Sequence, residues 1–502
     1  MTEQRQPIRV EEVDWQELFP WINLFRSFRM AMHAPKLLLA LGLVIVLFLY
    51  GTGLDLIFGD QVYPEEVQKY KQLGPVDFDR WYAGRENDLA VSLRNAVWAL
   101  PSSERAQIEG DISKALRAID KHFEDHPNES AARAEMRRKV REIQPRGVFE
   151  SALTFKLDAF ERMVLAATAF NFGIDDLLAV RPYDPNTVIG ALRDLVVVLP
   201  GWLFHSHLWF LAAWMVGAAL LWALVGGTIA RLAALDACLR RRIPTAQAMR
   251  YARGKFWWFL LAPIIPLLVV MLLVVVMALT GMVFNMPVTD ILGGLLFPLW
   301  LAGGVVVTVV LIGLAGGANL LYPAIAVEGT EAFDALSRAY HYVYFRPWRL
   351  VFYHLAALVY GAITYLFVGL VIFLSLWMTQ RFAGAWVFTD AAQTGVNRFD
   401  AIMPPPQIGK LVYETDWGVL SATGKVTAVL IKVWVMLLVG VLPAYAISYY
   451  FASNTWVYLL LRRVADGAAF DDIDAAEPEA GAAPAAAPDK VETDSPAEAP
   501  EL

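Results

Sequence analysis

The sequence predicts an all-α, polytopic helical membrane protein of about six transmembrane helices with internal repeats, plus an extracytoplasmic helical domain. Three observations lead there. Hydrophobic residues make up 57% of the 502 positions, with 17 Trp and a mean hydropathy of +0.46, more than a soluble globular chain usually carries. Six apolar runs are each long enough to cross a bilayer. A short basic, aromatic, amphipathic stretch leads into an apolar run three times, at 23–38, 245–260 and 335–350.

The runs are 37–58, 208–230, 256–284, 292–320, 350–377 and 426–461. Each reaches the roughly 20 residues that cross about 30 Å of hydrocarbon. The last is long enough to continue as an amphipathic helix, since Tyr449, Tyr450, Asn454 and Tyr458 fall in its final third. Pro263, Pro266, Pro298 and Pro443 lie in or near these runs, where bundled neighbours can satisfy the freed carbonyls.

Orientation follows from Lys and Arg in the short flanks. The 231–255 link carries Arg231, Arg240, Arg241, Arg242, Arg250, Arg253 and Lys255 against Asp236, whereas 285–290 carries no base, so the first of these faces the cytoplasm. Residues 1–36 then form a cytoplasmic amphipathic N-terminal segment and 37–58 a first span. No small-residue cleavage site follows residue 58, so that span is read as a retained anchor. Cys238 is the single cysteine, which excludes an intramolecular disulfide and a Cys-cluster metal site.

Residues 59–195 form the extracytoplasmic helical domain. Ile108, Ile112, Ala115, Leu116, Ile119 and Phe123 mark one face of a helix; Leu89, Leu93, Ala96, Val97 and Leu100 mark a second, and Phe149, Leu153, Leu157, Phe160 and Val164 a third. Pro101, Pro127 and Pro145 punctuate them. The apolar stretch 149–172 either lies on the outer leaflet or serves as domain core. Arg133, Arg137, Arg138, Lys139 and Arg141 interleave with Glu135 and Glu142, the pattern of a solvated, internally paired helix face, with an anion- or partner-binding surface as the alternative. No strongly basic module is present and the formal charge is −7, which excludes nucleic acid as a partner.

Residues 196–463 are read as a membrane bundle of five helices, with cytoplasmic amphipathic helices near 244–255 and 331–349 and an outer loop over 379–425 that contains Pro404, Pro405 and Pro406. Residues 464–502 form an acidic, Ala- and Pro-rich cytoplasmic tail expected to be disordered. The repeat can be set in register: placing Leu24 on Leu336 also places Arg26 on Arg338, Ser27 on Ala339, Phe28 on Tyr340, Pro35 on Pro347 and Leu38 on Leu350. Gly226-Gly227 and Gly316-Gly317 each precede a copy. The unit is span, amphipathic helix, span, present twice, or three times if the last span and the first make a permuted unit.

Aromatic residues favour the headgroup boundary, and each Lys or Arg there attracts anionic lipid by about 1 kcal/mol. Arg26, Arg29, Lys36, Arg250, Arg253, Lys255, Arg338, Arg346 and Arg349 are therefore candidate contacts for an anionic lipid or other ligand, the alternative being that they only anchor the spans. Asn319, His354 and Lys432 are intramembrane polar candidates, with hydrogen bonding between helices or snorkelling as their structural roles. Asp55, near the outer end of its span, is a further polar candidate, with snorkelling as its structural alternative. His205 and His207 alternate along a helix and face different ways, which disfavours a two-His metal site.

The stretches GGTIARLAALDACLRRRIPTAQAMRYARGKFWWFLLAPIIP, YPAIAVEGTEAFDALSRAYHYVYFRPW and YYFASNTWVYLLLRRVADG resemble uncharacterised bacterial multi-spanning proteins distantly similar to the membrane domain of some glycerophosphodiester phosphodiesterases. The resemblance covers roughly 226–467 and implies a bacterial cytoplasmic-membrane protein without an assigned activity. The catalytic phosphodiesterase domain of such fusions has no counterpart in this sequence.

There is no phosphate-binding G-x-x-x-x-G-K-[ST] loop, H-E-x-x-H or G-x-S-x-G, and no cofactor is expected. Three classes remain: a non-enzymatic protein that organises or binds lipids, envelope partner proteins or further copies of itself; a transporter or permease component; and an intramembrane lipid-modifying enzyme. The first is the expectation.

Overall fold

The computed structural model describes residues 19–473 apart from 107, 109–110, 125–129, 174, 176–182, 286–288, 391–396, 408–410, 412, 414, 416 and 418–419. Most of the acidic tail lies outside the described residues. Among the described residues the protein is helical and has no strand, only two isolated antiparallel bridges, Val62 with Arg146 and Asp390 with Asn397.

A 3₁₀ turn, Pro20–Phe25, leads into α1, Arg26–Ala31, and α2, Ala34–Phe58. Pro35 in its first turn and left-handed Gly59 beyond its end bound α2, as expected from the fixed φ of proline and the open φ of glycine. The insertion contributes α3 (Glu66–Ala96), α4 (Ser102–Ala106), α5 (Ile112–Glu124), α6 (Ser130–Ile143) and α7 (Val148–Thr168). Then come α8 (Val188–Ser206), α9 (Leu208–Cys238), α10 (Thr245–Gly254), α11 (Phe256–Gly281) and α12 (Thr289–Glu328). The chain closes with α13 (Ala332–Phe345), α14 (Pro347–Gly384), α15 (Arg398–Ile402) and α16 (Ala422–Asp466).

Among the described residues seven helices are long and apolar enough to cross a membrane: α2, α8, α9, α11, α12, α14 and α16. The protein is polytopic, with one such helix more than the sequence reading expects. The additional one is α8, whose apolar run is interrupted by Arg193 and Asp194. It packs on α3, α7 and α9, with Val198, Leu199 and the fully buried Trp202 set among Phe78 of α3 and Phe155 of α7. A boundary at 195/196 therefore falls inside one continuous helix. His207, with φ −135° and ψ 47°, separates α8 from α9.

The long helices form three antiparallel pairs, α2 with α9, α11 with α12 and α14 with α16, and α16 also packs along α2. The pairs meet at one end of the bundle. There the C-terminal segments of α9, α12 and α16 each touch both others, and residues 226–235, 320–327 and 451–462 are buried on every side. Each segment carries an amphipathic helix: α10 lies on α9, α13 on α12 and α1 on α16. The helix that follows each amphipathic element packs on the next long helix in the ring, α11 on α12, α14 on α16 and α2 on α9. Because Arg and Lys from all three amphipathic elements collect here, this end is called the basic face below.

Close approach at the junction depends on absent side chains. A Cβ on Gly226 would stand 2.6 Å from the Phe451 ring and one on Gly227 2.8 Å from Phe259. One on Gly317 would meet the Ala339 Cβ at 3.2 Å. Small residues at such crossings let helix backbones approach where no hydrophobic drive separates lipid from protein.

At the opposite end, Leu93, Val97, Ile108, Ala115, Ile119, Phe123, Met136 and Val140 bury together from α3, α5, α6 and the loop at 108, two of the three stripes expected from sequence. The third stripe is corrected. On α7 the buried side chains are Val148, Phe155, Ala159 and Ala166, while Leu157 is 53% exposed. The face is rotated because α7 leans on candidate spans: Phe149 fills the space left by Gly51 of α2, and Phe160 meets Tyr365 of α14 edge-on at 5.6 Å. In the loop after α14, the Asn397 side chain caps α15, which buries Ala401 and Ile402 with Leu420 and Ala428.

Gly226→Ala is expected to destabilise the protein by about 1–3 kcal/mol through overpacking against Phe451. Gly304→Ala, where a Cβ meets nothing within 4 Å, should not. Thermal midpoints in detergent, read by size-exclusion chromatography of the heated protein, compare the two.

Candidate functional site

The basic face is the candidate site, and several of its cations are already engaged. An α-helix ends with carbonyls that lack intrahelical donors and carry partial negative charge. At the end of α12 these are met by neighbours. Arg231 Nη1 donates to the Ala326 carbonyl at 2.6 Å, Tyr251 O–H to Ile325 at 2.8 Å and Lys255 Nζ to Gly329 at 2.6 Å. The Arg231 guanidinium also lies over the Tyr251 ring, 4.0 Å from its centre. Near the end of α9, Lys36 Nζ pairs with Asp236 Oδ2 at 2.6 Å, its side chain only 1% exposed. Glu328 binds Arg338 at 2.9 Å and Arg462 at 3.0 Å, and accepts from the Tyr458 hydroxyl. Tyr342 O–H donates to Asp466 at 2.6 Å; burial, then that hydrogen bond, pushes this phenol well above its ordinary range, so it stays a donor.

Of the nine candidate contacts, then, Lys36, Lys255 and Arg338 hold the junction together. Arg26 is half-buried; Arg29, Arg250, Arg253, Arg346 and Arg349 are exposed. Arg346 lies over the Phe345 ring. Among the described residues Arg29, Arg253 and Arg349 have no hydrogen bond or ion pair. Beside them stand exposed aromatics, Trp257 at 64% and Trp348 at 85%.

Two grooves open on this face. One, of about 410 Å³, is lined by Pro20 and Trp21 before α1, by Trp348, Arg349, Phe352 and Tyr353 at the start of α14, and by Val464 near the end of α16. Trp21 and Phe352 form its wall, edge-on at 6.0 Å. The other, of about 320 Å³, runs along one face of α13 past Ser337, Tyr340, His341, Tyr344 and Phe345. Tyr340 and Tyr344 donate to the Val310 and Val309 carbonyls of α12, and His341 stacks on Phe345 at 5.0 Å.

The intramembrane candidates are scattered. Asn319 accepts from Tyr450 O–H at 2.9 Å, a bond between α12 and α16. His354 Nδ1 faces the Leu350 carbonyl of its own helix at 3.0 Å, and its Nε2 is buried without a partner. Lys432 is half-buried on α16. Asp55 does not snorkel: its carboxylate accepts from the Phe149 and Glu150 N–H groups at 2.7 and 3.2 Å and so caps α7 from outside its own chain segment, which suits the positive end of a helix.

At the insertion end the structure assembles groups that sequence reading missed. Asp194, fully buried where α8 widens into a π-turn, pairs with Lys71 at 2.8 Å and Arg162 at 3.0 Å and accepts from Tyr183 O–H. Burial lowers the Lys71 pKa and Asp194 only partly restores it. Glu66, also fully buried, accepts from Trp202 Nε1 at 3.1 Å. His207 stands between Glu66 at 3.6 Å and Asp60 at 3.4 Å, and His205 reaches Asp79 at 2.8 Å. An aspartate inside an apolar run was the available signal for the first cluster. Among the described residues no group of three or more His, Cys, Asp or Glu could hold a metal ion.

Comparison with known protein families, with curated proteins and with solved structures found no match.

Removing one partner of a buried pair costs more than replacing the ion whose removal leaves the other near solvent. Asp236→Asn strands the buried Lys36 ammonium, whereas Lys36→Met leaves Asp236 with partial solvent access. The first should therefore lower the thermal midpoint more than the second. Glu328→Gln removes the carboxylate that Arg338 and Arg462 share but leaves Arg462 its pair with Asp472 at 2.7 Å, and should cost about 1.5–3 kcal/mol, measured as chemical or thermal unfolding in detergent.

Proposed function

We propose that this protein is a non-enzymatic component of a bacterial cytoplasmic membrane that binds and organises anionic lipid at its basic face. The carrying observation is that, once the junction's internal bonds are counted, Arg29, Arg253, Arg346 and Arg349 still face outward next to exposed Trp257 and Trp348. Structural cations alone would be expected inside, as Lys36 is. Cations and tryptophans together on the outside match the chemistry of a headgroup layer.

The basic face is assigned to the cytoplasm, with both termini there, because the links near it are rich in Arg and Lys. The insertion then faces out, available to envelope partners, and the exposed Trp209 at the start of α9 and Trp386 and Phe388 after α14 fit the opposite interface. The ring of long helix, amphipathic helix and following helix supports a threefold, permuted internal repeat over a twofold one. The resemblance of residues 226–467 to bacterial multi-spanning membrane domains accords with this setting.

Two measurements test the reading. With Cys238→Ser as background, a membrane-impermeant maleimide applied to spheroplasts should label Ser103→Cys in the insertion and spare Arg242→Cys on the basic face; the reverse pattern inverts the orientation. Purification into nanodiscs followed by lipid mass spectrometry should show anionic phospholipid enriched over the bulk mixture. Charge reversal at Arg29, Arg253 and Arg349 together should abolish the enrichment while the chain stays monodisperse.

A further inference from the structure

The same junction is made three times around the basic face, and two of the three are closed by a cation. The start of α2 meets the end of α9 through Lys36 and Asp236. The start of α11 meets the end of α12 through Lys255 and the Gly329 carbonyl. At the third, the start of α14 meets the end of α16, and among the described residues no such bond forms. Instead the groove of about 410 Å³ lies there, with Arg349 and Val464 on its wall.

Its lining has two chemistries. Arg349 supplies an exposed guanidinium with no hydrogen bond or ion pair among the described residues. Trp21, Phe352 and Tyr353 supply apolar wall, and Trp348, 85% exposed, stands at the rim. Directly beyond it α14 exposes Val351, Leu355, Leu358 and Val359, the lipid-facing side of a candidate span. A ligand that suits this sequence of surfaces carries an anionic head and an apolar tail in continuity. A guanidinium binds phosphate through paired N–H donors, and indole rings prefer the headgroup level.

We propose that the groove between the start of α14, the 3₁₀ turn and the end of α16 is a discrete binding site for one anionic phospholipid, with Arg349 on the phosphate and Trp21 and Trp348 flanking the glycerol region. The lipid takes the position that an intramolecular cation bond occupies at the other two junctions. This rests on the reading of the basic face as lipid-binding and narrows it to one site.

The test uses the full chain in nanodiscs of phosphatidylcholine with a minor fraction of phosphatidylglycerol, and native mass spectrometry of what stays bound on release. Wild type is expected to retain phosphatidylglycerol. Arg349→Gln should weaken that retention about fivefold, the effect of one lost surface cation, and Trp348→Ala should weaken it as well. Arg242→Gln, an exposed cation of the same face that lies outside the groove, should leave it unchanged. Arg349→Lys should restore part of it, which a role in folding alone would not require.

Equal loss in Arg242→Gln and Arg349→Gln would overturn the site while leaving general lipid attraction intact. No enrichment in wild type would overturn both. Retention by wild type that rises when residues 474–502 are removed would assign the groove to the acidic tail, and a dimer abolished by Arg349→Gln would assign it to a second copy; either result refutes the lipid site.

Discussion

Burying three helix ends against one another creates an electrostatic demand that organises the rest of the molecule. The C-terminal segments of α9, α12 and α16 are buried over 226–235, 320–327 and 451–462, so polar groups within them have little access to water. An unpaired polar group in such a place costs several kcal/mol. The neighbours answer with Arg231, Tyr251 and Lys255 on α12 and with Lys36 beside α9. Lys36 sits just inside the next span and Lys255 just before it, so making either bond also fixes where that span begins. Registration of the pairs follows from this, and the glycines at 226, 227 and 317 follow from the closeness it imposes.

Helix positions and the membrane solvent were legible in the sequence because apolar length is a one-dimensional property. Ser27 and Ala339, set opposite each other by counting, are both fully buried. What could not be read was the fate of each cation. Lys36 and Arg349 lie in similar basic aromatic stretches, yet one is sealed against Asp236 and the other faces out. That difference depends on whether a carboxylate arrives from about 200 positions away in the chain, as it does for Lys36. Asp55 and Asp194 were obscure for a related reason, since an aspartate in an apolar run shows its cost but not the helix end or the cations that offset it.

The distribution of burial bears on which function class is favoured. A substrate path between repeated units would need the pairs to face one another across a polar lining at mid-depth. In the α11–α12 pair, Leu268, Leu272, Val275, Leu295, Leu299 and Val305 are exposed, and over this stretch the two helices pack on each other. Such a surface is suited to lipid contact. Polar chemistry is concentrated instead at the two ends, in the Glu328 and Asp236 bonds on one side and the Asp194 and Glu66 bonds on the other.

The two ends differ in what their charges leave over. Around Asp194 the cations Lys71 and Arg162 converge on one carboxylate, and the pairing ties α3, α7 and α8 into a single unit on the insertion side. On the basic face, binding Glu328 and Asp236 uses some cations and leaves others exposed beside tryptophan. Among the described residues the basic face retains an exposed cation, Arg349, next to an apolar groove. The start of α14 is, among the described residues, the junction at which no carboxylate or carbonyl takes up the cation, and Arg349 is left exposed beside the groove.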